Sequence, residues 1–435
     1  MGPASVRLWR ILRAIMAVVP IALVSAVDPY PVDAGKKVML AGFVKYFADR
    51  FGPDNVHYIK VGSVRREGFP VRVHEVPAPS AADVARNVAR RVTTGRASLQ
   101  EAFLDSPQTR TAIERVLGDV RPEHIVYDTI RMAQFAPDPV AAQSICYLDD
   151  LFSERYRRML DAAARYPDVE FSPLGNFAEY VPARLQPLAT HRVTQTALLR
   201  LERRLVRRSE DRVARRFARC LLVSPGETAQ LEARVGAAPG RIRCVPPLVD
   251  IVSSAARNYS GKKEFVFLGL LSLPHNDDGL WFFLNEVWPL VLARTPDAHL
   301  NVIGREVSPR LSALTDRYRD SVTVSGYVPD LNDALSDAAA LVNPLRFGSG
   351  IKLKVFEALA RALPVVSTNV GAEGIASGPG TGILVADTAA GLAERLCSLT
   401  SVEHNAVASR EAREHFASTY ARDAVFEAYD SAFTL

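Results

Sequence analysis

The sequence predicts an α/β chain made of two doubly wound parallel sheets in tandem. Three observations lead there. The chain has 435 residues and is 48% hydrophobic, enough for two domains that each bury a core. Short apolar runs alternate with helical runs along most of its length, the pattern of parallel strands covered by helices on both faces. A single polar, turn-rich stretch, residues 246–263 with Ser253, Ser254, Asn258, Ser260 and Gly261, interrupts that alternation and reads as a linker.

In the first half, strands are expected at Val19–Ser25, His57–Val61, Val71–Glu75, His124–Asp128, Gln143–Leu148, Ala218–Ser224 and Arg241–Val245. Helices are expected at Lys36–Phe51, Ala81–Val92, Thr109–Leu117, Leu151–Arg165 and Pro225–Val235, with a long one over Thr194–Cys220. After the linker, strands are expected at Phe265–Gly269, His299–Ile303, Val322–Val324, Ala340–Pro344, Val365–Thr368 and Ile383–Val385. Helices are expected between them at Asp278–Ala293, Ser308–Tyr318, Leu331–Ala338 and Ile351–Leu363, the last stopped by Pro364, and at Tyr420–Phe433. Two Rossmann-like halves result, and ligands of such sheets bind past the carboxyl ends of the strands.

A net charge of +5 suits anionic ligands or an anionic membrane surface and is too weak to argue for nucleic acid, for which no motif is visible. Cys146, Cys220, Cys244 and Cys397 form no C-x-x-C pair. They read as small buried hydrophobes of a reducing compartment rather than a metal site or disulfide framework. At the amino end Arg7, Arg10 and Arg13 alternate with apolar residues, and Ile15 to Ala26 is an apolar run too short to span a bilayer. That start reads as a first strand preceded by an amphipathic arm, or as a targeting segment. Nine arginines between Arg200 and Arg219 form a solvated helix face or a surface for an anionic membrane.

The chemistry concentrates in Phe347 to Gly374, FGSGIKLKVFEALARALPVVSTNVGAEG. Gly348 and Gly350 let backbone approach a ligand, and the loop enters a helix whose free N–H groups favour a phosphate. Gly350, Lys354, Glu357 and Arg361 share one stripe by helical spacing. A cation there suits a diphosphate, and a carboxylate suits sugar hydroxyls. The plainer alternative is an exposed helix with a weak Lys354–Glu357 surface pair. After the first strand, VDPYPVDAGKK places Gly35 and Lys36 at a helix start, either a second polar site or a proline turn before a cap.

The segment PLRFGSGIKLKVFEALARALPVVSTNVGAEG resembles the donor signature of GT-B-fold retaining glycosyltransferases of the family-four-like, group 1 type. The resemblance is strongest from Phe265 to Asp387. It implies two Rossmann-like domains facing across a cleft: residues 1–247 on the acceptor side, 248–415 on the donor side, and a terminal helix in 416–435 crossing back to the first domain. It further implies transfer of a hexose, with retention, from a nucleoside-diphosphate sugar to a glycan or lipid-linked acceptor hydroxyl. The setting it implies is surface polysaccharide or lipopolysaccharide assembly, in the cytoplasm or on the inner membrane face. No cofactor and no metal are expected, the nucleotide sugar being a substrate. Donor binding falls to Gly348, Ser349, Gly350, Lys352, Lys354 and Glu357, with Arg346 assisting, and to Tyr327 and Val328 at the nucleobase. Gly35 and Lys36 face the cleft.

Catalytic roles fall to Lys354, Glu357 and Asp128, the last orienting an acceptor hydroxyl unless it is only a helix cap. Asp149-Asp150 and Asp277-Asp278 are expected to be helix caps or first-turn residues rather than metal ligands. Two departures from the family pattern stand out. Ser349 occupies the position eight before Glu357 where relatives often carry a second glutamate, and Leu270 stands where an arginine would neutralise the diphosphate. They keep two alternatives open: a non-catalytic GT-B partner subunit, and a sugar-nucleotide epimerase or hydrolase.

Overall fold

The computed structural model describes residues 19–433 apart from 33–34, 65–67, 166–191, 250, 252–256, 258, 329 and 349. The arginine-spaced start and Ser349 lie outside the described residues.

All thirteen expected strands form, and every pairing is parallel. Ile21–Ser25 (β1), Val56–Val61 (β2), Arg72–Val76 (β3), His124–Asp128 (β4), Ser144–Asp149 (β5), Arg219–Leu222 (β6) and Ile242–Cys244 (β7) make one sheet, ordered β3-β2-β1-β4-β5-β6-β7. Glu264–Leu268 (β8), His299–Ile303 (β9), Val322–Gly326 (β10), Ala340–Asn343 (β11), Val365–Ser367 (β12) and Ile383–Val385 (β13) make the other, ordered β10-β9-β8-β11-β12-β13. Strand order therefore reverses between β1 and β4, and again between β8 and β11, the places where open α/β sheets hold ligands.

Both faces of each sheet are covered, which is why the strands read as near-continuous apolar runs. Ile21 and Leu23 pack with Met39, Phe43 and Phe47, while Ala22 and Val24 pack with Ile130 and Val206 on the other side. In the second sheet Phe265 and Phe267 join Trp288 and Leu392, and Val266 joins Phe356 and Leu359.

The differences from expectation lie in the helices. The arginine-rich helix runs Arg192–Arg216, and Cys220 belongs to β6. The helix expected from Asp278 begins at Pro274 and continues to Arg294 through a π turn at Phe283–Val287. Pro289, just beyond that turn, has no N–H to donate, so regular helical bonding is interrupted there. The central helix is short, Leu353–Ala360. Ala362 takes a left-handed conformation (φ 55°), and Ala362 N–H bonds to Leu359 O at 3.0 Å and Leu363 N–H to Ala358 O at 2.9 Å. That is a Schellman end, so the helix stops before Pro364 rather than at it. Helices also form where none was expected: short ones at Leu99–Ala102 and Thr129–Ala133, and Ala389–Ser398 and Val402–Thr419, which pack against the helices covering the second sheet.

The last helix, Arg422–Phe433, packs on the first half. Phe433 meets Phe43 and Phe47, Asp430 accepts from Tyr46 Oη (2.6 Å) and pairs with Arg50, and Tyr429 Oη bonds Pro246 O (2.9 Å). Cys146 and Cys220 are buried as expected, but Cys244 is exposed on the edge strand β7 and Cys397 is half-buried on a helix. All four thiols are free.

Candidate active site

Two clusters form, one at each reversal of strand order. At the second, the loop after β11 carries Gly348 and Gly350, both at positive φ (128° and 76°), a conformation that glycine adopts without strain. Lys352 sits at the N-cap position and is buried, 7% exposed. Its Nζ donates to Gly350 O at 2.6 Å. Lys354 Nζ donates to Asn276 Oδ1 at 2.9 Å and lies 4.6 Å from the Phe267 ring centre. Asn276 Nδ2 in turn donates to Leu270 O at 2.9 Å, which turns the amide oxygen toward the lysine.

Among the described residues neither lysine has a carboxylate within ion-pair distance. Burial pushes the Lys352 ammonium down to about 7, with Arg155 across the cleft adding repulsion that Asp150 partly offsets. Burial and then Lys352 lower Lys354 to about 7 as well. His275, beside Gly348, is pushed down to about 4 by burial and by both lysines, so it is neutral at pH 7. One buried and one half-buried ammonium group, hydrogen-bonded only to neutral partners, make an electrostatic demand for an anion.

At the first reversal the cation already has carboxylate partners. Asp128, ending β4, accepts from Ser25 Oγ (2.6 Å) at the end of β1 and from Lys36 Nζ (2.7 Å). Lys36 also lies 3.5 Å from Asp149, whose other oxygen accepts from Tyr147 Oη (2.6 Å). Burial would raise the Asp149 carboxyl, but Lys36 and Arg155 outweigh it and hold it below the usual carboxylate range. Asp128 stands at the N-cap position of the Thr129–Ala133 helix, yet its side chain makes no cap bond. The cap alternative for Asp128 is therefore not what the carboxylate does. Gly35 touches the other half of the chain: a Cβ there would lie 2.9 Å from Ile351 Cγ1.

Several expected partners are placed differently. Arg346, expected to assist at the diphosphate, forms a two-point ion pair (2.9 and 2.5 Å) with the buried carboxylate of Asp278, which neutralises it. Asp277 lies in the first turn of the helix, as the cap-or-first-turn reading allows, and pairs with Arg310, while the N-cap residue is Leu273. Asp150 pairs with Arg155. Glu357 and Lys354 do not meet. Glu357 accepts from Arg361 (2.5 Å) and lines a cavity of about 390 Å³ with Tyr30, Val38, Leu248 and Leu353. Tyr327 is exposed at the end of the edge strand β10, beside Arg305, with Val328 half-buried next to it.

The structure adds residues the sequence reading assigned no role. Asn276 and His275 flank the lysines. From the helix after β5, Arg158 reaches Glu227 (3.0 Å) and, across the cleft, Glu373 of the closing glycine turn. A polar residue following Pro274 at a helix start was the available signal for Asn276. Nothing local signals Arg158.

Residues 262–401 match the family model of Glycosyl transferases group 1. That stretch of the second half is similar to a group 1 glycosyltransferase domain. A relative described as an uncharacterised 44.6 kDa protein in the cps region of Klebsiella pneumoniae is 29% identical over 128 residues, 28% of this chain and 33% of that protein. The match thus spans about a third of the relative's length. Among solved structures, sucrose-phosphate synthase from Thermosynechococcus elongatus aligns with TM-score 0.58 at 16% identity, over 94% of this chain and 96% of that one. S. aureus TarM, in complex with Fondaparinux, alpha-GlcNAc-glycerol and UDP, aligns with TM-score 0.56 at 10% identity, over 96% and 100%. These likenesses establish the two-sheet GT-B fold of this chain. No described helix is long and apolar enough to cross a membrane, and the described residues hold no group of three or more metal-ligating side chains.

Proposed function

We propose that this chain is a retaining hexosyltransferase that moves a sugar from a nucleoside diphosphate to an acceptor hydroxyl. The observation that carries the proposal is the pair Lys352, buried, and Lys354, half-buried, next to a glycine loop and with no carboxylate of the described protein in ion-pair distance. A diphosphate supplies that charge. In this reading Gly348, Ser349 and Gly350 border the diphosphate and sugar, Glu357, held by Arg361, accepts from the ribose hydroxyls, and Tyr327 and Val328 face the base. Uridine is the first base to test, because a structure of the same fold was solved with UDP.

The bond from the anomeric carbon to the diphosphate oxygen breaks as the acceptor oxygen bonds that carbon on the same face. The acceptor proton passes to the departing phosphate oxygen. Lys352 and Lys354 stabilise the charge that develops there. Asp128, fixed by Ser25 and Lys36, orients the acceptor hydroxyl. We place the reaction in surface-glycan assembly, consistent with a relative from a cps region. On this reading exposed Arg200, Arg204, Arg207, Arg208 and Arg215 hold the chain to the anionic inner face of the membrane.

The test is turnover. The purified chain is incubated with UDP- and GDP-hexoses and lipid-extracted acceptors, and the product's anomeric configuration is read by NMR. An α-linked product from an α-linked donor fits the proposal, and an inverted product overturns the same-face step. Binding of a nucleotide sugar without turnover on any acceptor would install the partner-subunit reading, which Ser349 and Leu270 favour. Conversion of the donor alone would install the epimerase or hydrolase.

A further inference from the structure

Far from the cleft, at the amino-terminal ends of β5, β6 and β7, lies an open recess of about 610 Å³. Arg216, Arg219, Arg241 and Arg243 line it, together with small residues such as Ala218 and Gly240. Three of these guanidinium groups have only neutral partners. Arg216 Nη2 reaches Pro137 O at 3.3 Å, and Arg241 donates to Phe217 O (2.9 Å) and Arg215 O. Arg243 donates to Gly240 O (3.0 Å) and to Ser431 Oγ (2.8 Å). Among the described residues no carboxylate lies within ion-pair distance of these three. Arg219 donates to Ala432 O at 2.6 Å, and its pKa is lowered by burial and then by Arg243.

One polar atom of the lining is also left without a partner among the described residues: Arg216 Nε, which is buried. The Arg216 charge acts on the Tyr127 phenol. Three like charges held by neutral groups repel one another, and a buried donor without an acceptor costs free energy. An anion with several oxygens relieves both, because guanidinium groups grip phosphate through paired, charge-assisted bonds.

We infer that this recess binds a phosphate-bearing oligoanion at a site separate from the nucleotide cleft. The ligand is a soluble polyphosphate or the phosphate headgroup of an anionic lipid. Either presents the same chemistry to the arginines. The site does not depend on the transferase reading.

Its test uses the full chain with Lys354→Ala, so that phosphate binding in the cleft is suppressed. Tripolyphosphate is titrated calorimetrically, and vesicles of phosphatidic acid in phosphatidylcholine are sedimented against phosphatidylcholine alone. Adding Arg216→Gln and Arg243→Gln is expected to weaken one of the two by about tenfold or more, the scale of a lost charge-assisted bond, while Arg243→Lys keeps part of it. Loss of tripolyphosphate binding identifies a soluble ligand, and loss of vesicle binding a headgroup. As a check that needs no added arginine variant, tripolyphosphate or the vesicles should slow phenylglyoxal modification of Arg241 and Arg243 in the parent chain. Equal binding by parent and glutamine variants, or no binding and no protection with either probe, overturns the inference.

Discussion

The two reversals of strand order occupy equivalent places in two similar sheets, yet their electrostatics differ. At the first, Lys36 is shared by Asp128 and Asp149, and Ser25 and Tyr147 complete the network. At the second, Lys352 and Lys354 have a carbonyl and an amide for company. The first already holds its counter-charges. On the proposed function, an anion completes the second. A charge with its partners built in serves the fold, and a buried charge without them marks where a ligand supplies the balance.

Substitutions at the two sites should separate these roles. Lys354→Ala is expected to lower kcat/KM by about 10²–10³, the scale of losing one preorganised charge at a leaving group, with an unchanged far-UV circular dichroism spectrum. Turnover close to that of the native chain would remove Lys354 from the site. Lys36→Met strands two carboxylates and is expected to cost about 3 kcal/mol of stability, the scale for breaking a buried pair, read as a lower urea midpoint. Lys354→Met should leave that midpoint unchanged or raise it, since the folded chain then no longer half-buries an uncompensated ammonium. Equal losses in both variants would erase the contrast.

A smaller effect is expected beside the second site. Gly371→Ala puts a Cβ 2.4 Å from Ser367 Oγ and 2.5 Å from Asn343 O, and overpacking of that kind costs about 1–3 kcal/mol. An unchanged melting temperature would mean that the turn relaxes freely.

The smallest expected effect is on pH dependence. The lysine ammonium groups are lowered to about 7 in the free chain, and a bound diphosphate raises them again. Binding therefore takes up protons, and affinity should weaken as pH rises from 6 to 9. At pH 8 the nucleotide's phosphates, with a last pKa of about 6, are almost fully ionised. Proton uptake measured there by calorimetry in two buffers of different ionisation enthalpy belongs to the protein. No uptake would show that the lysines are already charged.

Much of the fold is legible locally. The alternation of apolar runs and helical runs marks all thirteen strands, because parallel strands must be apolar on both faces. The glycines before Lys352 are equally plain. What stays hidden is set by distant contacts. Nothing near Lys354 points to Asn276, 78 residues before it. Lys36 and Asp128 are each visible as candidates, but only the fold shows that they neutralise one another across 92 residues. Arg346 looks available until Asp278 is seen to hold it. The end of the central helix is set by Ala362 in a conformation unusual for alanine, where a proline two residues on is the more conspicuous signal.

The most direct measurement is calorimetric titration of UDP, GDP and ADP into the native chain and into Lys354→Ala at pH 7. Saturable binding of one diphosphate, at least about tenfold weaker in the variant, a loss of about 1.4 kcal/mol, is the predicted result. Binding that is indifferent to Lys354, or no binding of any nucleoside diphosphate by the folded chain, would contradict a donor site at the second strand reversal.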